Sequence, residues 1–250
     1  MQVKHTHETG WSLGIKNASW TEDTENQVEF IIKALKLRGD ERILDLACGY
    51  GRHALALAGR GFSVVGVDFT PAYIDDAISN APPNAQFICA DVRDVDFDSE
   101  FDIVLNLADG IIGSFEAEEE NLKIFDVIAK ALKPGGKHFM DVCNAEHAER
   151  HFPKRHWETG KKALALAEFE WFPELRRWCY NGWDIPFGEV AQAPAVKPLV
   201  PGARLYSKAE LHEILQTRGM EIESTFSNYY GKPDTHKEIQ LMVCSRKNAQ

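Results

Sequence analysis

The 250-residue chain is 44% hydrophobic and carries a formal net charge of -10. That length and apolar content bury one sizeable α/β core with an embellishment. The acidic balance argues against a nucleic-acid surface, which needs a basic stripe that nothing here supplies.

The cysteines Cys48, Cys89, Cys143, Cys179 and Cys244 are odd in number and none stands in a C-x-x-C pair. Reduced thiols in a cytoplasmic protein are therefore expected, rather than a disulfide framework or a zinc site. No apolar run reaches the length of a membrane span, and the polar start MQVKHTHETG does not read as a signal peptide.

Residues 1–20 are polar apart from residues such as Trp11 and Trp20, and read as an irregular arm. Thr21, Thr24 and Asn26 open a helix whose apolar positions Val28, Ile31, Ile32, Leu35 and Leu37 keep helical spacing, ended by Gly39-Asp40. Short apolar runs recur at Arg42–Leu46, Ser63–Val67, Gln86–Cys89, Asp102–Leu107 and Lys137–Val142. Helical patterns separate them at Gly51–Ala58, Pro71–Ser79 and Glu118–Leu132. This alternation predicts a mostly parallel, doubly wound sheet with helices on both faces, and the runs are apolar throughout, as strands covered on both sides require.

After Asn144 the rhythm breaks. Residues 145–202 are rich in Trp, Pro and charge, with strands expected near Ala165–Phe172 and Leu175–Asp184, although Lys161–Ala167 fits a helix equally well. Ser207 and Glu210 form a capping box for a last helix that Gly219 stops. The closing runs Glu221–Ser227 and Glu238–Cys244 lie too near each other for a helical crossover and should pair antiparallel. The expected organisation is a single domain over 1–250: arm and helix 1–40, cofactor-binding core 41–145, inserted flap 146–205, and a returning helix and hairpin 206–250.

The stretch ILDLACGYGRHALALA, residues 43–58, is an apolar run that reaches Gly-x-Gly and passes into a helix. Gly49-x-Gly51-x-x-Ala54 satisfies the dinucleotide fingerprint, so NAD is one candidate. The acid argues for another. Asp45 stands inside the strand end, with Ala47 and Cys48 before Gly49. There it would repel a pyrophosphate, yet pair with the ammonium of a methionine moiety while loop amides take the carboxylate. Asp68 ends the second strand and suits ribose hydroxyls of either ligand, with Phe69 beside it for an adenine face or simply for the core. Asp91 ends the third and either accepts from an adenine amino group, beside the Val92 amide, or caps a helix.

DLACGYG, VVGVDFT, CADVRD, FDIVLNL and LKPGG, in that order, resemble the class I S-adenosylmethionine-dependent methyltransferases over about residues 20–145 and 203–246. Trp20 before Thr21-Glu22, CGYGRHALALA, NLADGIIGSF and RLYSKAEL with GMEIESTFSNYYGKP resemble the branch acting on small molecules, such as glycine- and sugar-amine N-methyltransferases. The resemblance implies a Rossmann-like seven-stranded sheet whose last strand is antiparallel, and an inserted antiparallel flap over the site. It implies S-adenosyl-L-methionine as cofactor, with Trp20, Asp45, Ala47, Gly49, Gly51, Asp68, Phe69, Asp91, Val92, Asn106 and Leu107 around it.

Methyl transfer from a sulfonium is an in-line displacement on an activated carbon, so the protein must chiefly align the partners and exclude water. A base is optional for an amine and usual for a hydroxyl. Asn106, Leu107 and Asp109 follow the fourth strand, where the methyl is expected, or merely turn the chain. His147 is placed to act as a base, or sits in a solvated loop, and with His151 and His156 it makes no recognisable metal site. Trp11, Trp20, Trp171, Trp178, Trp183, Tyr229 and Tyr230 fall in segments that should cap the pocket, where aromatic walls attract a cation, or else they build a small flap core. Arg204 and Tyr206 stand where the chain re-enters the core and are expected to face the site. The expected activity is methyl transfer to N or O of a small-molecule acceptor, without nucleic acid or membrane. The alternatives are a non-catalytic, cofactor-binding regulator and, less favoured, a nucleic-acid methyltransferase, for which Asn106-Leu107-Ala108-Asp109 lacks the Asn-Pro-Pro-aromatic run. The insertion serves either as a lid or as a homodimer interface.

Overall fold

The computed structural model describes residues 13–18, 21–190 and 200–249. Trp11 and Trp20 lie outside the described residues. Helix α1, Thr24–Leu35, buries Val28, Ile31 and Leu35 on one face, and the left-handed Lys36 ends it. Its first turn is tied by the Thr24 hydroxyl, which donates to the Thr21 carbonyl at 2.8 Å.

The parallel part of the sheet is built from β1 (Arg42–Leu46), β2 (Ser63–Asp68), β3 (Ala85–Cys89), β4 (Phe101–Asn106) and β5 (Leu132–Cys143). Between them run α2 (Arg52–Ala58), α3 (Pro71–Ser79) and α4 (Glu118–Ala131). After β5 come α5 (Ala145–His151), the strands β6 (Lys154–Thr159), β7 (Ala163–Phe172) and β8 (Arg177–Pro186), then α6 (Lys208–Gln216), β9 (Met220–Phe226) and β10 (Gln240–Lys247). The seven-stranded order is β3-β2-β1-β4-β5-β10-β9, with β10 antiparallel to both neighbours. Strand order therefore reverses between β1 and β4, and in such sheets ligands bind beside that point at the carboxyl ends.

Two apolar layers cover the sheet. Ile124, Phe125 and Ile128 of α4 and Leu211 and Leu215 of α6 pack on one face. Val28, Ile31 and Leu35 of α1 and Ala54 and Leu57 of α2 pack on the other. Each such fully buried Leu or Ile contributes about 1.5–3 kcal/mol.

The insertion forms its own antiparallel sheet, β6-β7-β8. Residues 163–167 are strand rather than helix, because β7 lies in the middle and pairs on both sides: Leu166 is opposite Trp157 and Trp183. Leu175 falls in a 3-10 turn at Pro173–Leu175 rather than in a strand. The flap packs on the core through Ala145, Ala148 and Leu205, with Phe152, Trp171 and Trp178 against them. Its far tip reaches the start of α1, where the Lys161 amide donates to Glu22 at 3.1 Å. The three-stranded sheet thus spans from the end of β5 toward the N-terminal helix.

Candidate active site

The loop after β1 turns through three left-handed residues, Ala47 (φ 58), Gly49 (φ 57) and Gly51 (φ 77). Ala47 carries a side chain there, which is uncommon outside functional turns. Gly51 is the N-cap of α2 and offers no side chain to its amides. Asp45, 1% exposed, stands near the first turn of α2, and the Ala54 backbone N–H favours its charged form. Its Oδ2 is buried and meets no hydrogen-bond partner among the described residues. Burial pushes the Asp45 carboxyl up to about 7, with Arg52 opposing the rise and Asp68 adding to it. An orphaned, buried acceptor at the mouth of a glycine loop is what a ligand ammonium would satisfy.

Asp68 is 7% exposed and holds the loop from the next strand, accepting from the Gly49 amide and from the Thr70 amide, each at 2.9 Å. Phe69 is half-buried beside it. Asp91 is engaged by Arg93 of its own turn through Nη2 at 2.6 Å and Nε at 3.0 Å. Arg93 also pairs with Glu120 and lies 4.0 Å from the Phe115 ring centroid. Val92 turns its side chain into the core, so only its backbone is left to meet a ligand.

The segment after β4 is the other wall. Asn106 is fully buried; its amide donates to the Leu46 carbonyl at 3.2 Å and the Gly110 carbonyl at 2.8 Å, while Oδ1 is unpartnered among the described residues. Leu107 packs into the core. Ala108, Asp109, Gly110 and Ile111 are all left-handed (φ 40–67). Asp109 faces inward: its Oδ1 accepts from the Cys143 amide at 2.8 Å, and burial raises its carboxyl above the usual range against that bond.

Beside it lies Asp141 on β5, 5% exposed, whose Oδ2 accepts from the Tyr229 hydroxyl at 2.8 Å. Burial pushes Asp141 to about 7, with Tyr229 and Arg52 opposing and Asp109 reinforcing. Asp45 and Asp141 therefore share the guanidinium of Arg52, itself held by Thr24 at 2.8 Å and Gln27 at 2.6 Å, and Asp109 lies against Asp141. Asp141 and Arg52 were not among the expected site residues. A signal for Asp141 was present: a carboxylate inside the apolar run GGKHFMDVC, the same placement as Asp45 in ILDLAC.

The remaining expectations divide. Tyr229 points inward and packs on Phe30 and Phe139, whereas its neighbour Tyr230 is 78% exposed. His147 lies on α5 rather than in a solvated loop; it is 3% exposed, its Nδ1 is 3.1 Å from the His236 carbonyl, and burial lowers its pKa. Its ring neighbours are His151 and Phe152, whereas His156 stands apart on β6. Trp171 and Trp178 face each other across β7 and β8, Trp178 stacking on Phe152 and Phe169 in the flap core. Arg204 binds Glu118 and Glu210, and Tyr206 is 1% exposed with its hydroxyl on Glu118 at 3.3 Å; both brace the core where the flap returns. Among the described residues no three His, Cys, Asp or Glu side chains gather as a metal site, and no helix is long and apolar enough to cross a membrane.

An open α/β sheet with a glycine cradle at its switch point, backed by acids on successive strands, defines a nucleotide-cofactor enzyme of the doubly wound class. Residues 43–136 match the family described as "Methyltransferase domain". The chain is 33% identical to a cypemycin N-terminal methyltransferase from Streptomyces sp over 203 residues, 80% of this chain and 81% of that one. It is 31% identical to a glycine/sarcosine N-methyltransferase from Aphanothece halophytica over half of each chain, 50% and 49%. The CcbJ methyltransferase from Streptomyces caelestis shares its fold, with a TM-score of 0.71 over 91% of this chain and 90% of the other at 18% identity. The chain belongs to the S-adenosylmethionine-dependent methyltransferases. It is an enzyme of that family, and its cofactor is S-adenosylmethionine.

Proposed function

We propose that the protein methylates a nitrogen or oxygen atom of a small molecule bound between the β4 and β5 ends and the flap. The observation that carries this reading is the pair of unpartnered buried acceptors, Asp45 Oδ2 and Asn106 Oδ1, on the two walls of the switch-point cleft. When bound, S-adenosylmethionine supplies a methyl group already activated by a sulfonium. The chain's part is to bind and orient. Asp45 and the 47–51 turn suit the methionine end, Asp68 the ribose, and Asp91 with the Val92 backbone the adenine. The flap, anchored at both its base and its tip, serves to exclude water. Work in the cytoplasm belongs to the same proposal. So does pairing of two copies through the insertion, which the exposed Trp157, Tyr180 and Phe187 on its strands and turn support.

Calorimetry with S-adenosylmethionine, S-adenosylhomocysteine and NADH in parallel tests it. Both sulfur compounds should bind, and Asp45→Ala should abolish that binding. Acceptor screening with amines and phenols then follows. Binding of NADH alone would remove the reading.

A further inference from the structure

We propose that Asp141, oriented by Tyr229, is the seat of the acceptor's nucleophile, and that this nucleophile is an amine arriving as an ammonium ion. The inference rests on the methyltransferase reading and adds the acceptor's chemistry to it.

Charge balance is the first argument. Asp45 and Asp141 are buried beside the Arg52 guanidinium, and the half-buried Asp109 lies against Asp141. S-adenosylmethionine carries a sulfonium, an ammonium and a carboxylate, so it brings one net positive charge. Among the described residues the three acids are then still one cation short, and unpaired buried carboxylates are costly. Each of these acids has a different duty. Asp45 stands at the glycine loop with its Oδ2 unpartnered among the described residues, and so serves the methionine end. Asp109 is spent on the Cys143 amide, with the Cys143 thiol 3.6 Å from its other oxygen. Among the described residues Asp141 makes one side-chain hydrogen bond, from Tyr229, to a single oxygen. Its Oδ1 is the carboxylate oxygen left to meet an acceptor.

Position is the second. Met140 pairs with Asn106 across β4 and β5, so Asp141 stands just past the level of the orphaned Asn106 Oδ1, and the Asp109 amide donates to the Asp141 carbonyl at 2.8 Å. It therefore lies at the wall where the methyl is delivered rather than at the adenine end. Tyr229 fixes the carboxylate's rotamer because its own ring is wedged between Phe30 and Phe139. The step balances simply. A proton passes from the acceptor's ammonium to Asp141 Oδ1, leaving a neutral amine with a free lone pair and a neutral carboxylic acid. The acid's proton returns to solvent after the methyl has moved and the product has left.

Sinefungin tests this without an identified acceptor. It carries an amine where S-adenosylmethionine carries its methyl group, so its ammonium N–H groups point toward the acceptor's place. S-adenosylhomocysteine has nothing there. The wild type should bind sinefungin more tightly than S-adenosylhomocysteine by about tenfold or more, the size of one charge-assisted hydrogen bond. Asp141→Asn should erase that advantage while holding the S-adenosylhomocysteine affinity within about twofold, a change too small to count against one lost bond. Tyr229→Phe, which keeps the carboxylate but frees it to turn, should reduce the advantage without erasing it. Equal affinities in the wild type, or an advantage that survives in Asp141→Asn, overturn the proposal. Should Asp141→Asn fail to fold, an advantage unchanged in Tyr229→Phe overturns it as well. Failure of S-adenosylhomocysteine to bind the wild type would instead strike the methyltransferase reading itself.

Discussion

Asp45 shows how a single residue is committed to binding at the expense of the empty fold. Its folded pKa of about 7 lies above the unfolded value of 3.8, so the protonated form is favoured on folding. Stability from this group is fully present below pH 3.8, declines as pH rises, and is gone above about 7. Asp45→Asn should therefore stabilise the ligand-free protein, by roughly 2–4 kcal/mol at pH 8 and by less at pH 5. Denaturant titrations at the two pH values check it, and a gain no larger at pH 8 than at pH 5 would contradict the assignment. The same variant should lose cofactor affinity. The sequence already marked Asp45, because an acid in an apolar strand end is visible without coordinates. It did not mark the Tyr229–Asp141 bond, whose partners stand 88 positions apart, nor the bidentate hold of Arg93 on Asp91, since a charged residue in a turn carries no label for its partner.

At the scale of elements, the last helix is fastened by a capping box and two ion pairs. Ser207 and Glu210 form the full capping box, and Glu210 also binds Arg176 at 2.6 Å and Arg204 at 2.8 Å. Burial alone would raise Glu210, but the Ser207 amide and hydroxyl with the two guanidinium groups outweigh it and bring it down to about 2. Its stabilising contribution is thus present above pH 4.5 and is lost as pH falls through about 2. Glu210→Gln should cost about 2 kcal/mol at pH 7, with the deficit shrinking below pH 4.5, as read by urea unfolding. This capping box was legible in SKAE, whereas α5 was not. Its buried face consists of Ala145, His147 and Ala148, and neither alanine nor histidine makes a hydrophobic stripe. β6 escaped for a related reason: KRHWET is exposed almost throughout and is held by pairing with β7 rather than by burial. The core strands were legible because both their faces are covered, which forces a continuous apolar run.

Across the whole molecule the flap and the cofactor cleft are mechanically joined. Arg177 on β8 donates to the carbonyls of Phe115 and Glu116, and the Arg204 amide donates to the Gly113 carbonyl at 2.7 Å. The segment that follows Asn106 is thus tied to the base of the flap. Arg177→Ala, with no place in the cofactor cradle, should weaken S-adenosylhomocysteine binding by about five- to tenfold, in line with a coupling of 1–1.4 kcal/mol. Calorimetry decides it, and unchanged affinity would mean that the two parts are independent. By the same linkage, a ligand held at about 100 times its Kd should raise the unfolding free energy by about 2.7 kcal/mol.

The flap also departs from the core and returns to it side by side. Asn144 and Tyr206 form a parallel bridge, and the Ala145 amide donates to the Tyr206 carbonyl at 3.2 Å. A chain that leaves and returns through adjacent positions can change its length at small cost in closure entropy. With Phe152, Phe169, Trp171 and Trp178 it carries its own aromatic filling. The segment from 145 to 205 therefore has the makings of a cassette. A donor sequence spliced between Asn144 and Tyr206, if it keeps Arg177 and Arg204, would inherit the cradle of Asp45 and Asp68 untouched while bringing a new ceiling for the acceptor. Specificity would then be exchanged as a module, leaving the sheet beneath to do the same work for a different guest.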